Sequence, residues 1–65
     1  MKEYLKDKYG RIIGYIQRDG NKLVIYSHLG IRLGYYDGRY TYNIYGQIIG
    51  EGNFLVLFLK NKIQI

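Results

Sequence analysis

Apolar and polar residues alternate through most of the chain in short runs, and glycine or a short polar side chain breaks the pattern every eight to ten residues or so. The runs are Arg11 to Gln17, Lys22 to Tyr26, Ile31 to Tyr36, Arg39 to Tyr42, Gln47 to Glu51 and Phe54 to Leu59, with Glu3 to Lys6 as a candidate first strand. Alternation puts successive side chains on opposite faces of a sheet, and Tyr, Ile and Thr suit such a surface. Nine glycines make long helices costly. The pattern predicts an all-β chain of six or seven antiparallel strands in a meander, forming a rolled sheet or a small barrel. Phe54 to Leu59 is apolar on both faces and reads as a strand covered on both sides, while the tail from Phe54 to Ile65 is also compatible with a short helix.

Three ten-residue segments, starting at Lys6, Tyr26 and Tyr42, align without gaps. In each, a short polar residue (Asp7, Ser27, Asn43) is followed three positions on by glycine (Gly10, Gly30, Gly46), giving repeat offsets of 20 and 16 residues. A short polar side chain can accept hydrogen bonds from turn amides, and glycine supplies the positive φ that closes a type I turn into a bulged hairpin. Further turn signals follow at Asp19-Gly20, Asp37-Gly38 and Gly52-Asn53. The chain divides into hairpin units at about residues 6–25, 26–41 and 42–59 of one domain.

Strict alternation places Ile13, Leu33 and Ile49 on one face with Tyr15 and Tyr35, and Gly14, Gly34 and Gly50 on the other with Ile12, Arg32 and Ile48. A glycine at the same position of every unit predicts a close approach to the backbone, by an aromatic ring, a bend or a second sheet. Tight curvature of a small barrel or rolled sheet is the favoured cause.

A chain of 65 residues buries only a marginal core, and such scaffolds usually gain help from disulfides, a metal or self-association. Cys is absent and His28 is the single histidine, so thiolate and imidazole clusters are excluded and self-association remains. The apolar run Phe54 to Leu59 is far shorter than the ~20 residues of a membrane helix. No apolar stretch follows Lys2, Lys6 and Lys8 as a secretory signal would require, so the expected compartment is the cytoplasm.

Catalytic chemistry finds little support. Ser27 and His28 are adjacent, so their side chains diverge, and the carboxylates Glu3, Asp7, Asp19, Asp37 and Glu51 are mostly absorbed by turns. The expectation is a non-enzymatic protein without cofactor or metal.

Ten Lys and Arg against five Asp and Glu give a net charge of +5, which favours acidic partners or simply solubility. The basic residues, Lys60 and Lys62 among them, are scattered singly. Nine tyrosines are the one compositional excess. Exposed Tyr with Arg marks protein interfaces and also platforms for unpaired bases. The densest cluster, Arg32, Tyr35, Tyr36, Arg39, Tyr40 and Tyr42, is the predicted partner-binding surface. Phe54, Val56 and Phe58 are the predicted oligomer interface, most simply of a homodimer.

The Asp-x-x-Gly-x-Ile-Ile-Gly-Tyr unit at Asp7 to Tyr15, and more loosely at Ser27 to Tyr35 and Asn43 to Glu51, resembles small bacterial and mobile-element proteins built of repeated glycine hairpins. The likeness spans about residues 6–53 and implies a fold without an activity to carry over. Small size and basic charge are similar to those of phage-encoded proteins that inhibit host defences by binding. The expected function is protein–protein contact. The alternatives are nucleic-acid binding through the same tyrosines with Arg32, Arg39 and Lys22, and nucleotide sequestration between subunits.

Overall fold

The computed structural model describes residues 2–59, so Lys60, Lys62 and the rest of the tail to Ile65 lie outside the described residues. Six strands, β1 (Lys2–Lys6), β2 (Ile12–Asp19), β3 (Lys22–Ser27), β4 (Arg32–Tyr36), β5 (Tyr40–Asn43) and β6 (Ile48–Glu51), form one antiparallel sheet in chain order. The sheet is open, with β1 and β6 as its edges, so the expected antiparallel meander is present and does not close into a barrel. Among the described residues no helix is long and apolar enough to cross a membrane.

The repeat is reproduced atom for atom in its turns. Asp7 Oδ1 accepts the N–H groups of Tyr9 and Arg11 at 2.8 and 3.0 Å, Ser27 Oγ those of Leu29 and Ile31, and Asn43 Oδ1 those of Tyr45 and Gln47. In each turn the glycine N–H donates to the carbonyl of the polar residue, with φ between 78° and 83° at Gly10, Gly30 and Gly46. The polar side chain thus satisfies two amides that the tight turn leaves without a backbone partner. All three turns lie at the same end of the sheet, because each joins an odd-numbered strand to the next.

A second repeated device overturns the simple alternation. Opposite Leu5/Lys6, Ile25/Tyr26 and Thr41/Tyr42 the partner strand carries one extra residue, and the unpaired residue is Ile13, Leu33 and Ile49 in turn. An extra residue in one strand shifts the side-chain phase on one side of the bulge relative to the other. Ile13 and Leu33 therefore join the core with Ile25, Leu55 and Leu59, and not the tyrosines as strict alternation predicts. Arg32 leaves the glycine face, pairs with Tyr26 and lies over the Tyr35 ring.

Phe54 to Leu59 does not form a strand. Leu55–Leu59 is a 3₁₀ turn whose start is capped by Asn53, with Oδ1 accepting the Leu55 N–H at 3.1 Å. The corner that turns the chain from β6 onto the sheet is held by Thr41, fully buried, whose hydroxyl donates to the Gly52 carbonyl and accepts the Phe54 N–H. From there the segment runs back across the sheet. A Cβ on Gly50 would meet the Phe54 ring at 2.8 Å, one on Gly34 the Phe58 ring at 2.7 Å, and one on Gly14 Leu59 Cδ1 at 2.8 Å. The repeated glycines are thus sockets for one apolar segment of the same chain. At Gly14 and Gly34 a neighbouring carbonyl, of Tyr26 and Tyr42, comes to 2.5 Å of the same position.

These contacts rank the sockets. Gly34→Ala forces a methyl against a backbone oxygen as well as the Phe58 ring, and the expected loss is about 2–3 kcal/mol, out of roughly 3–5 kcal/mol available to a domain of this size. Gly50→Ala meets only the Phe54 side chain within the same distance. It should cost less, and Phe54→Leu in the same chain should recover most of that cost. Urea denaturation of the four proteins checks the order.

Candidate functional site

The face of the sheet opposite the 3₁₀ segment is built from tyrosine because of where the repeat puts it. One tyrosine follows the socket glycine (Tyr15, Tyr35) and one precedes the polar turn residue (Tyr26, Tyr42). Hairpin and interhairpin pairing then set Tyr4 beside Tyr15, Tyr15 beside Tyr26, and Tyr35 beside Tyr42. The Tyr15 and Tyr26 rings stack at 4.9 Å and 16°, and the Tyr35 and Tyr42 rings at 4.6 Å and 15°. Tyr4 leans on Tyr15 at 5.9 Å and 55°. Such spacing matches the distance between adjacent strands, so the rings stand upright on the sheet with their faces against one another. Val24, only 2% exposed, lies among them, paired with Gln17 and Tyr35.

Cations border this surface. Lys2 Nζ lies 4.8 Å from the Tyr15 ring centre, and Lys22 Nζ and the Arg32 guanidinium lie 4.8 and 5.3 Å from that of Tyr35. Arg39 covers Tyr40 at 5.1 Å and also reaches Glu51 at 3.5 Å. A cation over an aromatic ring is held by the ring quadrupole while its charge stays open to solvent.

Asp37 fixes one end of the ladder. Its Oδ1 accepts the N–H groups of Arg39 and Tyr40, and its Oδ2 accepts the Tyr42 hydroxyl at 2.8 Å. The Tyr40 amide, then the Tyr42 hydroxyl and the Arg39 amide, hold the Asp37 carboxyl below its ordinary value. The same hydroxyl bond, ahead of desolvation, raises the Tyr42 phenol above 10.0. At the first turn the Arg11 amide leads the groups that lower Asp7.

Of the six residues predicted as a partner surface, Arg32, Tyr35 and Tyr42 come together on this face. Tyr40 shares that side of β5 with Tyr42, with Arg39 over its ring and Glu51 opposite it. Tyr36 packs against the core on the opposite face. Tyr15, Tyr26, Tyr4 and Lys2 belong to the ladder but lay outside that prediction, although Tyr15 occupies the same repeat position as Tyr35, and Tyr26 that of Tyr42. Phe54 and Phe58 contact Gly50 and Gly34 of their own chain, and Val56 is half exposed. Among the described residues no group of three or more His, Cys, Asp or Glu is placed to hold a metal. Comparison with protein-family models, curated proteins and solved structures gives no match.

The Asp37–Tyr42 bond predicts two pH limbs. A carboxyl lowered on folding stabilises the fold above its ordinary range, and that contribution disappears as pH falls through the folded pKa. A phenol raised on folding stabilises below 10.0, and that contribution disappears as pH rises through the folded value. Asp37→Asn should flatten the acid limb to the part supplied by Asp7, and Tyr42→Phe should remove the alkaline one. Melting temperatures from roughly pH 2 to 11 read both.

Proposed function

We propose that this chain is a non-enzymatic binding module of the cytoplasm that docks a protein partner through its tyrosine face, centred on Arg32, Tyr35 and Tyr42, with Arg39 and Tyr40 at the rim. The observation that carries the reading is the stacking of the rings on one another. Upright rings offer a partner their edges and hydroxyls beside cations, the Tyr and Arg combination that dominates protein interfaces. A base-stacking platform needs free ring faces, and here those of Tyr15 and Tyr35 are engaged by neighbouring rings and by Lys2, Lys22 and Arg32. The glycines that suggested a nucleotide pocket are filled by Phe54, Phe58 and Leu59. Self-association remains open to the outward Val56 and Leu57.

The test is affinity capture from the native host with immobilised wild type, with Arg32→Ala/Tyr35→Ser, and with Arg18→Ala as a control. Arg18 is exposed on the face opposite Tyr35 and Tyr42, beside Ile16 and Leu23 in a recess that Lys2 also lines. The expected result is a protein retained by wild type and by the control and lost from the double variant. Retained nucleic acid, released steeply between roughly 50 and 200 mM salt, would overturn the reading.

A further inference from the structure

Among the described residues, three of the cations on the tyrosine face form no ion pair. Among the described residues the ion pairs are Arg11 with Asp7 and Arg39 with Glu51, whereas Lys2, Lys22 and Arg32 engage only tyrosine rings. Two carboxylates at the β5–β6 end of the ladder are otherwise accounted for: Asp37 is bound to Tyr42 and to backbone amides, and Glu51 to Arg39. Asp19 stands across from Lys22 in the β2–β3 register without forming an ion pair with it. The face thus carries three unpaired cations against one unpaired carboxylate, Asp19, and its balance is positive, set on aromatic supports.

Lys2 is on β1, Lys22 on β3 and Arg32 on β4, three strand spacings or about 14 Å across the sheet from first to last, while Arg32, opposite Tyr26, stands four residues along β3 from Lys22, again about 14 Å. An extended chain rises about 3.4 Å per residue, so a segment laid obliquely over the face passes from one cation-bearing position to the next in some four residues. Tyr15, Tyr26 and Tyr35 lie between the cations and turn their edges outward. Those edges are the positive rim of the aromatic quadrupole and, with the hydroxyls, suit carboxylate oxygens.

We propose that the tyrosine face is a docking surface for an acidic polypeptide segment, with carboxylates seated at Lys2, Lys22 and Arg32 and its backbone laid over the upright rings. This rests on the protein-binding reading and names the chemistry of the partner. Two features favour a polypeptide over a nucleic acid of the same charge. The ring faces that bases would need are engaged, and the open edges and hydroxyls can meet both side-chain carboxylates and peptide groups.

The experiment uses the full chain and three fluorescent probes: hexaglutamate, hexaglutamine and hexathymidylate. Binding is followed by anisotropy at low salt for wild type, for Lys22→Glu/Arg32→Glu and for Lys8→Glu/Arg11→Glu, which makes the same change of charge at the first turn, where both cations lie over Tyr9. Circular dichroism confirms that both variants keep the sheet. The expected result is saturable binding of hexaglutamate alone, weakened about tenfold or more by the first pair and little by the second. Equal weakening by both pairs would reduce the effect to net charge and overturn the proposal, as would the absence of saturable hexaglutamate binding. If hexaglutamate fails while the captured host protein still depends on Arg32, the acidic-segment inference falls and the protein-binding reading stands. If hexathymidylate binds more tightly and depends on the same two cations, both fall.

Discussion

A six-stranded meander made of hairpins has two faces and needs something to cover at least one of them. Here the cover is a single apolar segment that enters over Thr41 and fills three glycine sockets in turn. Each remaining feature of the sheet follows from accommodating it. The glycines lower the surface where Phe54, Phe58 and Leu59 come down, and the bulges swing Ile13 and Leu33 towards the same side. Without a close cover, sockets lacking side chains would be voids, and voids in so small a core forfeit the contacts on which its stability depends.

Covering one face leaves the other to be stabilised by something besides burial. The tyrosine ladder supplies this, since neighbouring rings on paired strands shield one another and bury Val24 beneath them without excluding water from their outer edges. The two faces therefore solve opposite problems with the same repeat. One uses the absence of a side chain at Gly14, Gly34 and Gly50, and the other uses the largest available flat side chain at the next position, until Glu51 replaces tyrosine at the last strand and ends the ladder.

The turns were fully legible in the sequence because their chemistry is local: Asp7, Ser27 and Asn43 bind amides two and four residues away, and Gly10, Gly30 and Gly46 close them. The assignment of faces was not legible, because a bulge is one residue of unpaired backbone and leaves the alternating pattern on either side intact. Arg32 changed faces for that reason, while Tyr36 went to the core because it lies one residue beyond Tyr35 on the ladder side. The final segment offered a local signal in Asn53, a capping residue ahead of apolar positions at helical spacing, but its apolar content is equally that of a buried strand. Comparing units by repeat position, in place of counting tyrosines by density, would have brought Tyr15 and Tyr26 into the candidate face.

The order in which the sockets are filled runs against the order of synthesis. Gly50 lies closest in sequence to the covering segment and Gly14 farthest, with Leu59 reaching back to the second strand. A growing chain can close each hairpin as soon as its turn residues have emerged, since those contacts are local. Ile13 and Gly14, among the earliest residues made, stay uncovered until some of the last described ones arrive. The hydrogen bonds of this sheet are thus local and its cover is not, so that the hairpins of an unfinished chain have pairing without shelter.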